Sequence, residues 1–199
     1  MYWVLQIFNP FSGVGFASYV LHRKMAFARY STKMSWRRRA TRDIAEMRGA
    51  GLHVYADGDG GEGEEGDTEI NCFRVDFAGP SETPYEGCTW ALRFTLPEQF
   101  PFKSPSVGFV QRIYHPNIDE ASGSVCLDAL NSAWSPSFTL AHIVQELLPY
   151  LLRYPNPSDP LNREAAALLA NDAKAFEAKA RKHSQKNAKR TGVVAKVAS

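Results

Sequence analysis

Apolar and polar positions alternate with period two in several stretches of the first two thirds of the chain, and recur at helical spacing beyond. Over Ile70–Phe77, Phe73, Val75 and Phe77 fall on one face and Cys72 and Arg74 on the other, which predicts a half-buried strand. Cys88–Leu96 predicts a second such strand, and Val107–Val110 a third, after a stretch stiffened by Pro97, Pro101 and Pro105. A short strand around Leu52–Tyr55 precedes them. Turn signals at Gly79-Pro80-Ser81 and Thr83–Gly87 separate the runs, so the strands form an antiparallel meander. Upstream, Trp36, Ile44 and Met47 line one side of an amphipathic helix, capped by Ser35 and stopped by Gly49 and Gly51. Downstream, Leu140, Ile143, Val144, Leu147, Leu148, Leu151 and Leu152 predict a long helix with a kink or break at Pro149. Pro155–Pro160 must be an extended loop, and helices follow at about Asn162–Ala170 and Asp172–Lys186. Helix, strands, a long irregular segment and then helices make an α+β fold.

With 199 residues, 44% of them hydrophobic, the chain is long enough for one well-packed domain plus extensions. A wholly disordered, collagen-like or disulfide-scaffold protein is excluded. Net charge is only +2, but its distribution is uneven. Residues 1–42 carry eight Lys+Arg and no acid; residues 43–173 carry 7 against 20 Asp+Glu; residues 174–199 carry 8 against Glu177 alone. An acidic body between basic ends does not suggest a nucleic-acid protein, which spreads basic residues over its folded part. Cys72, Cys88 and Cys126 form no CxxC pair, which fits a reducing compartment and neither a disulfide framework nor a four-cysteine zinc site.

The boundaries follow: a leader over 1–33, a core domain over 34–187 and a basic flexible tail over 188–199. The leader's uncharged run Tyr2–Leu21 precedes His22-Arg23-Lys24, which suits a weak anchor or a transit peptide, or else a disordered segment outside the functional unit. Asp57–Asp67 contains only Gly, Asp and Glu and predicts a mobile acidic hairpin loop. It lacks the apolar position and terminal Glu of a calcium loop, and no metal is expected there.

Chemistry concentrates between the last strand and the long helix. Tyr114–Asp119 and Ser122–Asp128 form a long irregular stretch offering an imidazole (His115), an amide (Asn117) and a soft nucleophile (Cys126). A thiolate–imidazole pair of Cys126 and His115 is one reading, but Pro116 fixes the backbone beside His115 and favours a structural imidazole. A cysteine alone is more often a small buried hydrophobe, whereas the Gly-Ser approach to Cys126 favours exposure.

Tyr85-Glu86-Gly87, Phe100–Pro105, His115-Pro116-Asn117, Gly123–Asp128, Trp134-Ser135-Pro136 and Pro155–Leu161 occur in order. Together they resemble the ubiquitin-conjugating enzymes, over about Ser35 to Lys186. The resemblance implies the UBC fold: a four-stranded antiparallel meander with an N-terminal helix and C-terminal helices. It implies that Cys126 carries ubiquitin as a thioester, received from the ubiquitin-activating enzyme and passed to a substrate lysine or to a ligase cysteine. Asn117 then supports the active-site loop and stabilises the oxyanion, and Asp159 lies near the incoming lysine. His115, Pro116, Ser124 and Asp128 support the site. Phe102, Pro136 and Ser137 match the surface that meets a RING-type ligase, and Arg37, Arg38, Arg39 and Arg42 the helix that meets the activating enzyme. Trp134 reads as core. No metal or organic cofactor is implied.

Ile118–Val125 is one residue longer than the family's usual spacing between its Asn and Cys. With Asp119-Glu120-Ala121-Ser122-Gly123, Pro149 and Tyr154, it resembles the branch that works with multi-subunit CTLH/GID-type RING ligases and is associated with histone ubiquitination. The acidic insertion and the basic rather than acidic tail depart from that branch. A catalytically silent ubiquitin-binding variant, or a conjugating enzyme for SUMO or NEDD8, are the rival readings; the silent variants lack the cysteine. Cytoplasmic or nuclear placement is expected, with an organelle or a membrane as alternatives through residues 1–33.

Overall fold

The computed structural model describes residues 36–57, 70–125 and 134–190. Expectations placed on the leader 1–33, the Ser35 cap, the acidic loop beyond Asp57, Cys126, Asp128 and the tail beyond Arg190 lie outside the described residues.

Helix α1 (residues 36–49) turns Trp36, Ala40, Asp43 and Met47 inward at helical spacing. It ends where Gly51 adopts φ +80°, with the Gly51 and Leu52 N–H groups donating to the carbonyls of Arg48 and Met47. The chain then forms the meander β1 (Val54–Ala56), β2 (Cys72–Ala78), β3 (Cys88–Thr95) and β4 (Ser106–Phe109), adjacent in that order and antiparallel. Register aligns Val54, Val75, Leu92 and Phe109 in one buried row across the four strands. Phe73 pairs with Phe94, their rings stacked at 5.2 Å, and Phe94 with Val107. The opposite face is polar. There Asp57 accepts from Arg74 Nε at 2.5 Å and forms an ion pair with Arg93, its Oδ2 2.8 Å from Nε, fastening the end of β1 across β2 and β3.

The long helix α2 runs from Leu140 to Arg153 without a break. Its first turn (Leu140–His142) is α-helical, its middle (Ile143–Leu147) π-helical and its end (Leu148–Arg153) α-helical. The chain does not break at Pro149, and the irregularity expected there takes the form of a change of helical pitch. Proline cannot donate to the carbonyl four residues back and its ring crowds that carbonyl. The wider π turn immediately before it, where Leu148 N–H donates to Ile143 O, accommodates both effects. Helices α3 (Arg163–Asn171) and α4 (Ala173–Asn187) follow, capped by the side chains of Asn162 and Asp172.

Residues 188–190, expected as the start of a flexible tail over 188–199, belong to the fold. Lys189–Arg190 form a short strand, β5, antiparallel to Cys88–Thr89 at the start of β3, and Ala188 packs against the core. β4 covers only Leu92–Thr95 of β3, so the open edge beyond it has backbone groups to offer. Among the described residues no helix is long and apolar enough to cross a membrane.

Buried polar contacts tie this core to the irregular segment. Tyr85 is fully buried and its hydroxyl donates to Tyr114 O at 2.8 Å; burial pushes its pKa far above the usual tyrosine value. Tyr85→Phe leaves that carbonyl without its donor, so the variant is expected to lose about 1–3 kcal/mol, read from the urea midpoint at unchanged m-value.

Candidate active site

The segment after β4 has little regular structure, and its buried side chains supply hydrogen bonds that a helix or sheet would otherwise give. His115 is fully buried: its Nδ1 accepts the main-chain N–H of Asn117 at 3.0 Å, and its Nε2 lies 3.1 Å from Leu151 O on α2. An acceptor at Nδ1 and a carbonyl facing Nε2 define the neutral tautomer, protonated on Nε2. The ring therefore has no lone pair to offer a thiol while these two bonds are made.

Asn117, also buried, reaches across to the extended loop before α3. Its Nδ2 donates to Asn156 O at 2.7 Å and toward Asp159 O at 3.4 Å, and its Oδ1 accepts from Asn156 N–H at 2.8 Å. Asn162 N–H donates to Pro116 O at 2.9 Å. Two loops are thus sewn together by one amide and one carbonyl. Asp159 sits on the sewn loop as an exposed residue.

The approach to Cys126 is fixed from the other side. Ile118 pairs with Val125, Ser124 with Gly108 of β4, and Asp119 N–H donates to Ser124 O at 3.0 Å. Gly123 has φ +73°, and a Cβ there would come within 1.8 Å of Phe109 O, so only glycine lets the chain approach β4 this closely. Asp119 Oδ2 accepts from Ser122 N–H and Oγ, and these bonds hold its carboxyl below the usual range. Val125 is buried, Ser124 is exposed, and an open groove lined by Arg93, Thr95, Ser106, Gly108, Ser122 and Ser124 runs alongside. Cys126 and Asp128 lie just past this frame, outside the described residues. The two described cysteines are poorly suited to nucleophilic work. Cys88 is buried, and the Cys72 thiol is pushed up by burial and by Asp57, to which it donates at 3.1 Å.

Of the residues matched to partner surfaces, Phe102 is 82% exposed and not part of the core. Pro136 and Ser137 are exposed as well, and Trp134, expected as core, is half-buried with its Nε1 donating to Pro101 O at 2.8 Å. Arg37, Arg38 and Arg42 are exposed on α1. Arg39 is not available in the same way: its side chain is only 15% exposed and is engaged with Asp43 and with the carbonyls of Pro136 and Phe138. The resemblance groups Arg39 with the other three as meeting the activating enzyme, but the helical turn points it at a neighbouring loop. The signal was available in Asp43, a charge in register with Trp36, Ala40 and Met47 on the buried stripe.

Burial pushes the His115 imidazole down to about 3, with the Leu151 carbonyl opposing. The unfolded chain binds that proton at about 6.5. Between the two values the unfolded state holds more protons, so the neutral ring's contribution is present above pH 6.5 and is lost as pH falls toward 3. From pH 6.5 to 5 the expected loss is about 2 kcal/mol. His115→Gln should lose distinctly less over that interval, as urea unfolding at the two pH values would show.

Comparison with known proteins places this frame. The family model described as ubiquitin-conjugating enzyme matches residues 56–184. Ubiquitin-conjugating enzyme E2 6 of Arabidopsis thaliana is 52% identical over 121 residues, covering 61% of this chain and 66% of that protein. Ubiquitin-conjugating enzyme E2-24 kDa of Saccharomyces cerevisiae is 53% identical over 116 residues, covering 58% of this chain and 53% of that one. The chain thus spans between about half and just under two thirds of the length of these curated relatives. A solved E2 domain of a Toxoplasma gondii ubiquitin conjugating enzyme superposes with a TM-score of 0.64 at 30% identity, covering 76% of this chain and 97% of that one. The meander, the sewn loops and a family match over most of the chain lead to one conclusion: the chain belongs to the ubiquitin-conjugating enzyme family.

Proposed function

We propose that the chain accepts activated ubiquitin from the activating enzyme as a thioester on Cys126 and transfers it to a substrate lysine with a RING-type ligase. The observation that carries this reading is the frame around residues 115–125, which fixes the approach to Cys126 and sews it to the loop bearing Asp159. In the first step the Cys126 thiolate attacks the thioester carbonyl carbon on the activating enzyme, whose own thiolate leaves. In the second a lysine amine attacks the same carbon, the C–S bond breaks, Cys126 leaves as thiolate and the amine's extra proton is released. Thiolate is a good leaving group and the acyl donor arrives activated, so a strong base beside the sulfur is unnecessary. That accords with an imidazole whose two nitrogens are both occupied.

Asn117 acts here first as the tie between the two loops. Serving the oxyanion as well would require its Nδ2 to leave the longer contact, the one to Asp159 O. Asp159 favours the deprotonated, aligned amine, and Ser124 and Asp128 shape the loop on either side of the sulfur. Phe102, Pro136 and Ser137 form the ligase surface: an exposed aromatic ring on a proline-stiffened turn anchors a partner at little entropic cost. Arg37, Arg38 and Arg42 steer the activating enzyme's acidic face. The stretch Asp119–Gly123 with Pro149 and Tyr154 supports a ligase of the CTLH/GID type, and the site of action is the cytoplasm or nucleus.

Incubation with activating enzyme, ubiquitin and ATP is expected to give an adduct that thiol reductants remove. Cys126→Ala should give none, and Cys126→Ser an adduct that resists reductant. No adduct with ubiquitin, SUMO or NEDD8 would leave the silent-variant reading standing; an adduct with SUMO or NEDD8 alone would change the modifier and keep the chemistry.

A further inference from the structure

Arg39 occupies a position unlike that of its three basic neighbours on α1. Its Nε donates to Asp43 Oδ1 at 2.7 Å, one turn along the helix, and Asp43 is completely buried. Its other two nitrogens reach out of the helix: Nη1 donates to Pro136 O at 2.8 Å and Nη2 to Phe138 O at 2.5 Å. Those carbonyls bracket Ser137, so one planar guanidinium holds both sides of an exposed tip. The same group lies 5.8 Å from the centre of the Phe100 ring, in the turn whose exposed end is Phe102. Trp134 closes the arrangement, donating to Pro101 O and packing against both Phe100 and Phe138. Two separate loops, each carrying part of one exposed surface, therefore rest on a single side chain of a third element.

Asp43 sets the direction of that side chain. A carboxylate at (i, i+4) takes Nε and leaves the two terminal nitrogens splayed toward the loop. Asp43 Oδ2 has no hydrogen-bond partner, so the acid depends on Arg39 and on the more distant Arg42, whose Nη2 lies 3.6 Å from Oδ1. Lysine cannot reproduce a fork that serves a carboxylate and two carbonyls at once.

We propose that Arg39, aimed by Asp43, is a positioning residue for the ligase-docking surface of Phe102, Pro136 and Ser137, and that its charge is not offered to the activating enzyme. The role rests on the reading of that surface given under Proposed function. It makes ligase affinity depend on a residue that the ligase does not touch.

Removing Arg39 alone strands a buried carboxylate, so the variant to use is Arg39→Ala with Asp43→Ala, alongside Arg39→Lys and, as control, Lys174→Ala on α4. RING domains that accelerate discharge of the ubiquitin-charged wild type onto free lysine serve as probes. The double variant is expected to raise the RING concentration giving half-maximal discharge by about tenfold, more than it lowers the maximal rate. Amide hydrogen exchange at Ser137 and Phe138 should speed up by about the same factor in the free protein. Arg39→Lys should fall between the double variant and the wild type, and Lys174→Ala should match the wild type. An unchanged half-maximal RING concentration overturns the proposal, as does a charging defect equal to that of Arg38→Ala with loop exchange unaltered. A wild type that never charges sinks the thioester reading instead, and a charged wild type that no RING accelerates removes the ligase surface and this role with it.

Discussion

His115 accepts a main-chain N–H on one ring nitrogen and donates to a carbonyl of α2 from the other, so a buried neutral imidazole sets the distance between the irregular segment and the long helix. That segment has only two isolated bridges in place of a helix or a strand, and its backbone groups still need partners away from water. Protonating the ring would turn its acceptor into a donor facing another donor. The same burial that makes the imidazole useless as a base makes it dependable as a spacer. Asn117 extends the constraint outward to the proline-rich loop, and Gly123 allows the opposite side to close on β4.

Much of this fold was legible in the order of residues. Alternating runs located the last three strands of the meander to within a residue or two, because Phe73, Val75 and Phe77 can only share a face in an extended chain. The last two helices were placed from Asn162 and from Asp172, and the structure shows both side chains capping them. What the pattern could not show was where hydrogen bonds go when local periodicity is absent. The tie from Asn117 to Asn156 spans 39 positions, and that from Arg39 to Pro136 spans 97. Lys189–Arg190 likewise looked like the start of a solvated tail, since pairing with a vacant sheet edge depends on how short β4 is and not on anything in the tail itself.

The basic face of α1 shows how composition misleads when it is read without geometry. Four arginines within six positions look equivalent, yet the helical repeat divides them into three that meet solvent and one that meets another loop. Charge then does two kinds of work on the same helix. Exposed guanidiniums act at a distance and fade with ionic strength. The enclosed one acts through directed hydrogen bonds that salt hardly touches.

The π-helical middle of α2 has a meaning for how such a chain can vary. A single π turn stores one surplus residue inside a helix while the turns on either side keep their own pitch. A lineage that also replaced Pro149 could therefore lose one amino acid between Ile143 and Leu147 without displacing Leu140 at one end or the carbonyl of Leu151 at the other. The outward pair Tyr150 and Tyr154 would keep its aspect too, because Tyr150 belongs to the α-helical end that follows and Tyr154 is its C-cap. The length of this helix is free to drift in sequence while its architecture stays put.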